Sequence, residues 1–276
     1  MNIQIYAGTV DEPFSAKSVA LWNGFSALTC EHGCMNPASL NMSRIISISS
    51  LKTPPDITHH AFLAALPQKK WRLQVEGLVS DYGLLKDFIT QHVFSAKKWR
   101  LGVAAKTSLR QILSLGLKMN YSGLRIDNWK SSALTLDAGF RTQLKTGKAG
   151  LGVSIRNINL HHSENSDRLT QFLVFGVYYR PFYLPGVFSL DVDNYSGLRG
   201  VLGLELEPIE KFKIYLSNSS DYNNLQTGSI YQNFISGFGI GFQLNWIGYA
   251  FTFGSRNLGQ GGWIKGVTLS KTLKNS

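Results

Sequence analysis

The chain has 276 residues, 43% hydrophobic, 12% aromatic and only 16% charged, with 28 Lys and Arg against 17 Asp and Glu for a formal charge of +11. So few charges, against about 25% in soluble domains, argue against an ordinary water-facing surface, and the lack of any run of about 20 apolar residues excludes a transmembrane helix. The cations are scattered, as at Lys69–Lys70, Lys97–Lys98 and Lys145, without the patch or module of a nucleic-acid binder, so no nucleic-acid partner is expected.

In chain order, MNIQIYAGTVDEPF carries no basic stretch followed by the apolar core of about 7–15 residues that marks a secretory signal. If the protein is exported, its signal lies outside this sequence. Next comes an irregular, largely apolar segment, SVALWNGFSALTCEHGCMNPASLNM. Asn36-Pro37 is a turn signal, because proline fixes its own φ and pushes the preceding residue out of the helical region. The segment 1–41 is therefore set apart from 42–276, where RIISISSL opens a strand-like alternation.

A period of two recurs from there to the end. KWRLQVEGLVS sets Trp71, Leu73, Val75 and Val79 against Arg72, Gln74, Glu76 and Ser80. KKWRLGVAAKTS sets Trp99, Leu101 and Val103 against Lys98, Arg100 and Lys106. SALTLDAGFRTQL sets Leu134, Leu136 and Phe140 against Thr135, Asp137 and Arg141, and NFISGFGIGFQLNW sets Phe238, Ile240 and Phe242 against Gly239, Gly241 and Gln243. Strands are predicted at 43–52, 57–66, 69–81, 86–94, 97–107, 111–120, 131–144, 149–160, 169–180, 186–194, 198–207, 210–218, 232–244, 246–254 and 262–273.

A β-sandwich would also alternate, but its outward faces should be charged. Here the polar faces mix Gly, Ser, Thr and isolated charges, as a barrel lumen does. Strands of about ten residues match a tilted bilayer crossing, long polar connections (161–168, 218–229) alternate with short turns, and Trp71, Trp99 and Trp263 fall where strands begin, as in an aromatic girdle. The predicted fold is all-β: a transmembrane antiparallel barrel of about 14 strands. Arg72, Glu76, Lys98, Arg100, Asp137, Arg141 and Arg156 are its expected lumen-lining residues. A soluble sandwich acting as a binding module is the competing architecture.

No constellation points to catalysis. Cys30, His32 and Cys34 lack a fourth ligand for a metal; free thiols, a disulfide and a metal remain open there. His59-His60 and His161-His162 are adjacent and point to opposite faces of a strand. Asp191 with Asp193, and Glu205 with Glu207, share a strand face but have no acid–base partner, so a lumen-facing or solvated role is expected. GFGIG and GKAGLG do not precede a helix, as a phosphate loop requires. No enzyme activity, cofactor or metal is predicted.

AKSVALWNGFSALTCEHGCMNPASLNM resembles the N-terminal signature of FadL-like outer-membrane barrels, and within them the PorV and PorQ proteins of type IX secretion, closest to PorQ. Ala16, Gly24, Ala27, Asn36, Pro37, Ala38 and Leu40 stand at matching places. LVSDYG, SALTLDAGF (Asp137, Gly139), LGVSIRNINL (Asn157), FGVYYRPFYLP and GFGIGFQLNWIGYAF continue the likeness. Phe25 replaces the second glycine of a GG pair, and Ser276 stands where a terminal aromatic is usual, with Leu273 the nearest apolar candidate. The resemblance implies an outer-membrane location, membrane lipid around the barrel, and a plug folded inside it that ends in Asn36, Pro37 and Ala38. It implies a structural component of secretion or surface attachment, with secretion-system or surface proteins as partners. The alternative is a FadL-like transporter of hydrophobic small molecules.

Overall fold

The computed structural model describes residues 13–28, 35–41, 43–68, 71–86, 93–109, 112–163, 169–195, 197–220 and 237–273. The alternating sequence becomes β1 (Ile45–Thr53), β2 (Ile57–Gln68), β3 (Trp71–Lys86), β4 (Val93–Leu109), β5 (Leu113–Ile126), β6 (Trp129–Gln143) and β7 (Ala149–His162). It continues as β8 (Phe172–Tyr179), β9 (Gly186–Asp193), β10 (Arg199–Ile209), β11 (Phe212–Ser219), β12 (Phe238–Trp246), β13 (Tyr249–Asn257) and β14 (Trp263–Thr272). Each strand pairs antiparallel with its sequence neighbours, and β1 closes on β14 from Ile45↔Thr272 to Lys52↔Lys265. Closure leaves the sheet no edge with unpaired backbone groups.

The burial pattern is the reverse of a water-soluble protein's. On β1, Ile48 is 60% exposed while Ser47 is 3% exposed. On β5, Leu115, Leu117, Met119 and Tyr121 face outwards, and Ser114, Gly116, Lys118 and Asn120 face inwards. Apolar surface of this extent is unfavourable in water and favourable in hydrocarbon, where a sheet is tolerated only as a closed barrel with its backbone fully paired. The two-layer sandwich, whose apolar faces would meet, is thereby ruled out.

Two sequence expectations are corrected. The strand predicted at 86–94 is no separate strand: β3 runs to Lys86, β4 begins at Val93, and 87–92 lie outside the described residues. Apolar Leu84, Leu85, Val93 and Phe94 extend the arms of a single hairpin, so the ring closes with 14 strands. Trp99 does not begin a strand either; it sits within β4, paired with Val79 and Gly123, its ring 5.0 Å from that of Tyr121.

The barrel is uneven. β3 to β7 have 14 to 17 residues, whereas β8, β9 and β11 have eight. Between β6 and β7 the register slips around Asp137, which faces Arg156 and Asn157. Asn157 has φ of 56° there, a left-handed conformation that Asn tolerates better than most residues, and the result is a bulge.

Candidate functional site: the barrel interior and the N-terminal segment

Residues 13–28 and 35–41 run around the inside of the ring, and inward-facing groups of the wall hold their backbone. Ser15 caps a five-residue helix, α1 (Ala16–Ala20), in a reciprocal box with Ser18. The Ala16 N–H donates to Thr268 Oγ1 at 2.8 Å, and the Ala20 carbonyl accepts from Ser217 Oγ at 2.6 Å. Phe25 and Ser26 then donate their N–H groups to the two oxygens of Asp191, at 2.7 and 2.8 Å. Arg141 Nε donates to the Ala27 carbonyl at 2.5 Å. Ser154 Oγ and Arg156 Nη1 donate to the Met35 carbonyl at 3.0 and 3.2 Å. Asn36 Nδ2 donates to the Phe140 carbonyl on β6, and its Oδ1 accepts from the Ala38 N–H. Lys106 Nζ reaches the Leu40 carbonyl and Arg72 Nη1 the Ser43 carbonyl, each at 2.7 Å. The contacts thus pass around the ring from β14 towards β4, with one step out of order where Ala27 meets β6 before Met35 meets β7.

Irregular backbone away from water needs such partners, because its polar groups have no ladder of their own. Close approach is permitted by inward glycines, which in a strand mark a backbone passing nearby. A Cβ at Gly254 would stand 1.9 Å from the Ala16 carbonyl oxygen, one at Gly239 2.3 Å from that of Ala20, and one at Gly116 2.2 Å from the Pro37 carbonyl carbon.

Charges hold the rest of the interior. Glu76 pairs with Lys118. Asp137 pairs with Arg156 at 3.0 Å and accepts from Asn120 and from the Asn157 N–H, so it fastens the bulge. Near the short turns, Lys17 of α1 meets Glu205 at 2.8 Å, and Glu205 is shared with Lys213.

Of the residues named from sequence, Arg141 and Arg156 bond the segment and Arg72 the Ser43 carbonyl just beyond it, while Asn36, within the segment, bonds β6 through its own side chain. Glu76 and Asp137 organise cations beside it. Lys98 is buried on the inner face of β4, and Arg100 lies on that face among the charges acting on Glu76. Pro37 and Ala38 form a buried 3-10 turn with Ser39. His59 faces inwards and bonds Ser80 at 2.8 Å, while His60 faces outwards. Cys30, His32 and Cys34 lie outside the described residues, as do 164–168 and 221–236 of the long connections. Sequence reasoning set Lys106 on a polar strand face and gave Asp191 and Glu205 a lumen-facing or solvated role, but did not foresee that Asp191, Lys106 and the Lys17–Glu205 pair hold the segment. The usable signal was the isolated glycine at inward positions of consecutive strands.

No protein-family model and no curated protein matches the chain. Solved structures do match in fold. The P. putida toluene transporter TodX aligns with a TM-score of 0.65 at 8% identity, covering 96% of this chain and 100% of that one. The Ralstonia pickettii toluene transporter TbuX gives 0.66 at 10%, covering 96% and 99%. The CymD monoaromatic hydrocarbon channel gives 0.64 at 9%, covering 95% and 98%. The barrel thus has the fold of these channels, and at such identities the likeness is one of fold alone. The finer assignment to the PorV/PorQ branch rests on the sequence motifs alone.

Proposed function

We propose that the chain is an outer-membrane channel for small hydrophobic molecules, with residues 1–41 as its plug and 42–276 as its barrel. The observation that carries this reading is the N-terminal segment, bonded to side chains of β14, β11, β9, β7, β6 and β4 along its course. A segment held on so many sides narrows the water-filled path that a general porin needs. Small solutes that partition from water into apolar surroundings are the cargo that suits a narrowed barrel set in hydrocarbon. The likeness in fold to channels named for toluene and other monoaromatic hydrocarbons supports the same cargo class.

In this reading the interior charges position the plug rather than select solute. Asp191 orients its middle, Arg141 and Arg156 its second half, and Lys106 and Arg72 its exit into β1. Asn36, Pro37 and Ala38 turn the chain beside Gly139 and Gly116, where no wall side chain stands in the way. The secretion-component reading has no structural observation behind it, and its protein partners would engage connections outside the described residues.

Uptake of labelled toluene and of labelled sucrose into vesicles carrying the full-length protein tests the proposal. Toluene entry several-fold above empty vesicles, with sucrose entry at background, is expected. Equal toluene entry with and without protein, or rapid sucrose entry, would overturn it.

A further inference from the structure

The outer wall is not uniformly convex. Over β8 to β11 it carries a groove of about 590 Å³ lined by Tyr179, Phe188, Leu190, Leu202, Leu204 and Leu216. These side chains belong to the outward set, so the groove faces what surrounds the barrel and not the lumen. Its volume is that of a typical ligand pocket. At its short-turn end, the turn 180–185 is apolar at its tip, with Phe182 77% and Tyr183 94% exposed.

Beside that tip lie cations. Lys148, from the β6–β7 turn, sits 5.1 Å from the Phe182 ring centre. Arg180, by contrast, lies on the lumen side of the same turn, 5.9 Å from the ring centre of the inward-facing Tyr178. Lys211 is exposed in the β10–β11 turn, next to Glu210, the only acid in the three turns. Exposed aromatics with lysines, set below an apolar slot, match the layering of a phospholipid: acyl chain above, glycerol level at the aromatics, phosphate at the cations.

We infer that the outer wall of β8 to β11 is a binding site for one anionic phospholipid, its acyl chain in the groove and its phosphate at the Lys148 and Lys211 turns. The inference rests on the membrane-spanning part of the proposed function and not on the cargo. The excess of cations makes the headgroup anionic, and the outward set of the groove makes the occupant a component of the bilayer.

Native mass spectrometry of the full-length barrel, released from micelles containing phosphatidylglycerol or phosphatidylcholine, tests this. The wild type should retain a single phosphatidylglycerol at least five-fold more often than phosphatidylcholine. Leu190→Trp, which fills the groove from the lipid side, should abolish retention while the barrel keeps its heat-dependent gel shift. Lys148→Gln with Lys211→Gln should retain lipid without headgroup preference. Undiminished retention in the filled variant, or no preference in the wild type, would overturn the inference. So would toluene displacing the retained lipid, since the groove would then be a solute site. Toluene uptake by the same variants is a separate readout: loss of lipid with normal uptake supports the lipid site and leaves the channel reading intact, and absent uptake in the wild type sinks only the cargo.

Discussion

Asp191 shows how one side chain can carry a long-range contact. Its carboxylate accepts two backbone N–H groups of the N-terminal segment from 165 and 166 residues away. Asp191→Ala would leave both donors unpartnered in a buried place, at about 1–3 kcal/mol for each. We expect faster hydrogen exchange at the Phe25 and Ser26 amides and earlier proteolytic cleavage within 13–28, with the barrel's gel shift unchanged. The glycines give a steric counterpart. At Gly254 the atom in the way is backbone, the Ala16 carbonyl, so Gly254→Val must displace α1, whereas Gly200→Val, with only Ser220 Oγ 3.8 Å from the new Cβ, should not. Proteolysis of the segment in the first variant but not the second is the expected result.

These residues also show what was and was not legible in the sequence. Asp191 could be placed on a strand face, but nothing local to LDVDN reveals that two N–H groups 165 residues upstream require an acceptor. Gly239 was read as a small position opposite an apolar face, and Gly116, Gly139 and Gly254 stand at inward positions of the same kind. That they border one continuous segment depends on the closed ring, which places distant strands at similar depth. Outward residues such as Leu101 and Leu136 were read directly, because a period of two needs only neighbours.

Among the elements, the β6–β7 pair is where charge and backbone geometry meet. Asp137 ties Arg156, Asn120 and the Asn157 N–H at the bulge. Removing one member of a buried ion pair costs about 3–5 kcal/mol, because the remaining charge is left without compensation. Asp137→Ala should therefore lower the unfolding midpoint of the barrel in detergent markedly, with exchange on β7 rising most. A double variant, Asp137→Ala with Arg156→Met, should recover part of the loss. Absence of recovery would show that the bond to Asn157, and not the ion pair, carries the effect. The mistaken strand at 86–94 has its origin at this scale too: hairpin arms longer than bilayer thickness demands look, in a sequence, like two shorter strands.

At the scale of the molecule, one inversion organises everything: apolar side chains outward, polar groups and the N-terminal segment inward. A cation placed on the outer wall near mid-depth should cost about 2–4 kcal/mol, so Met119→Arg should insert poorly into vesicles. Asn120→Ser, on the inner face of the same strand, should insert normally. The most direct test is to place spin labels singly along β5 in vesicles, with Cys30 and Cys34 replaced by Ser, and to measure their accessibility to oxygen dissolved in the lipid. The account predicts high values at positions 115, 117, 119 and 121 and low ones at 114, 118 and 120. An opposite phase, or no alternation at all, would contradict it.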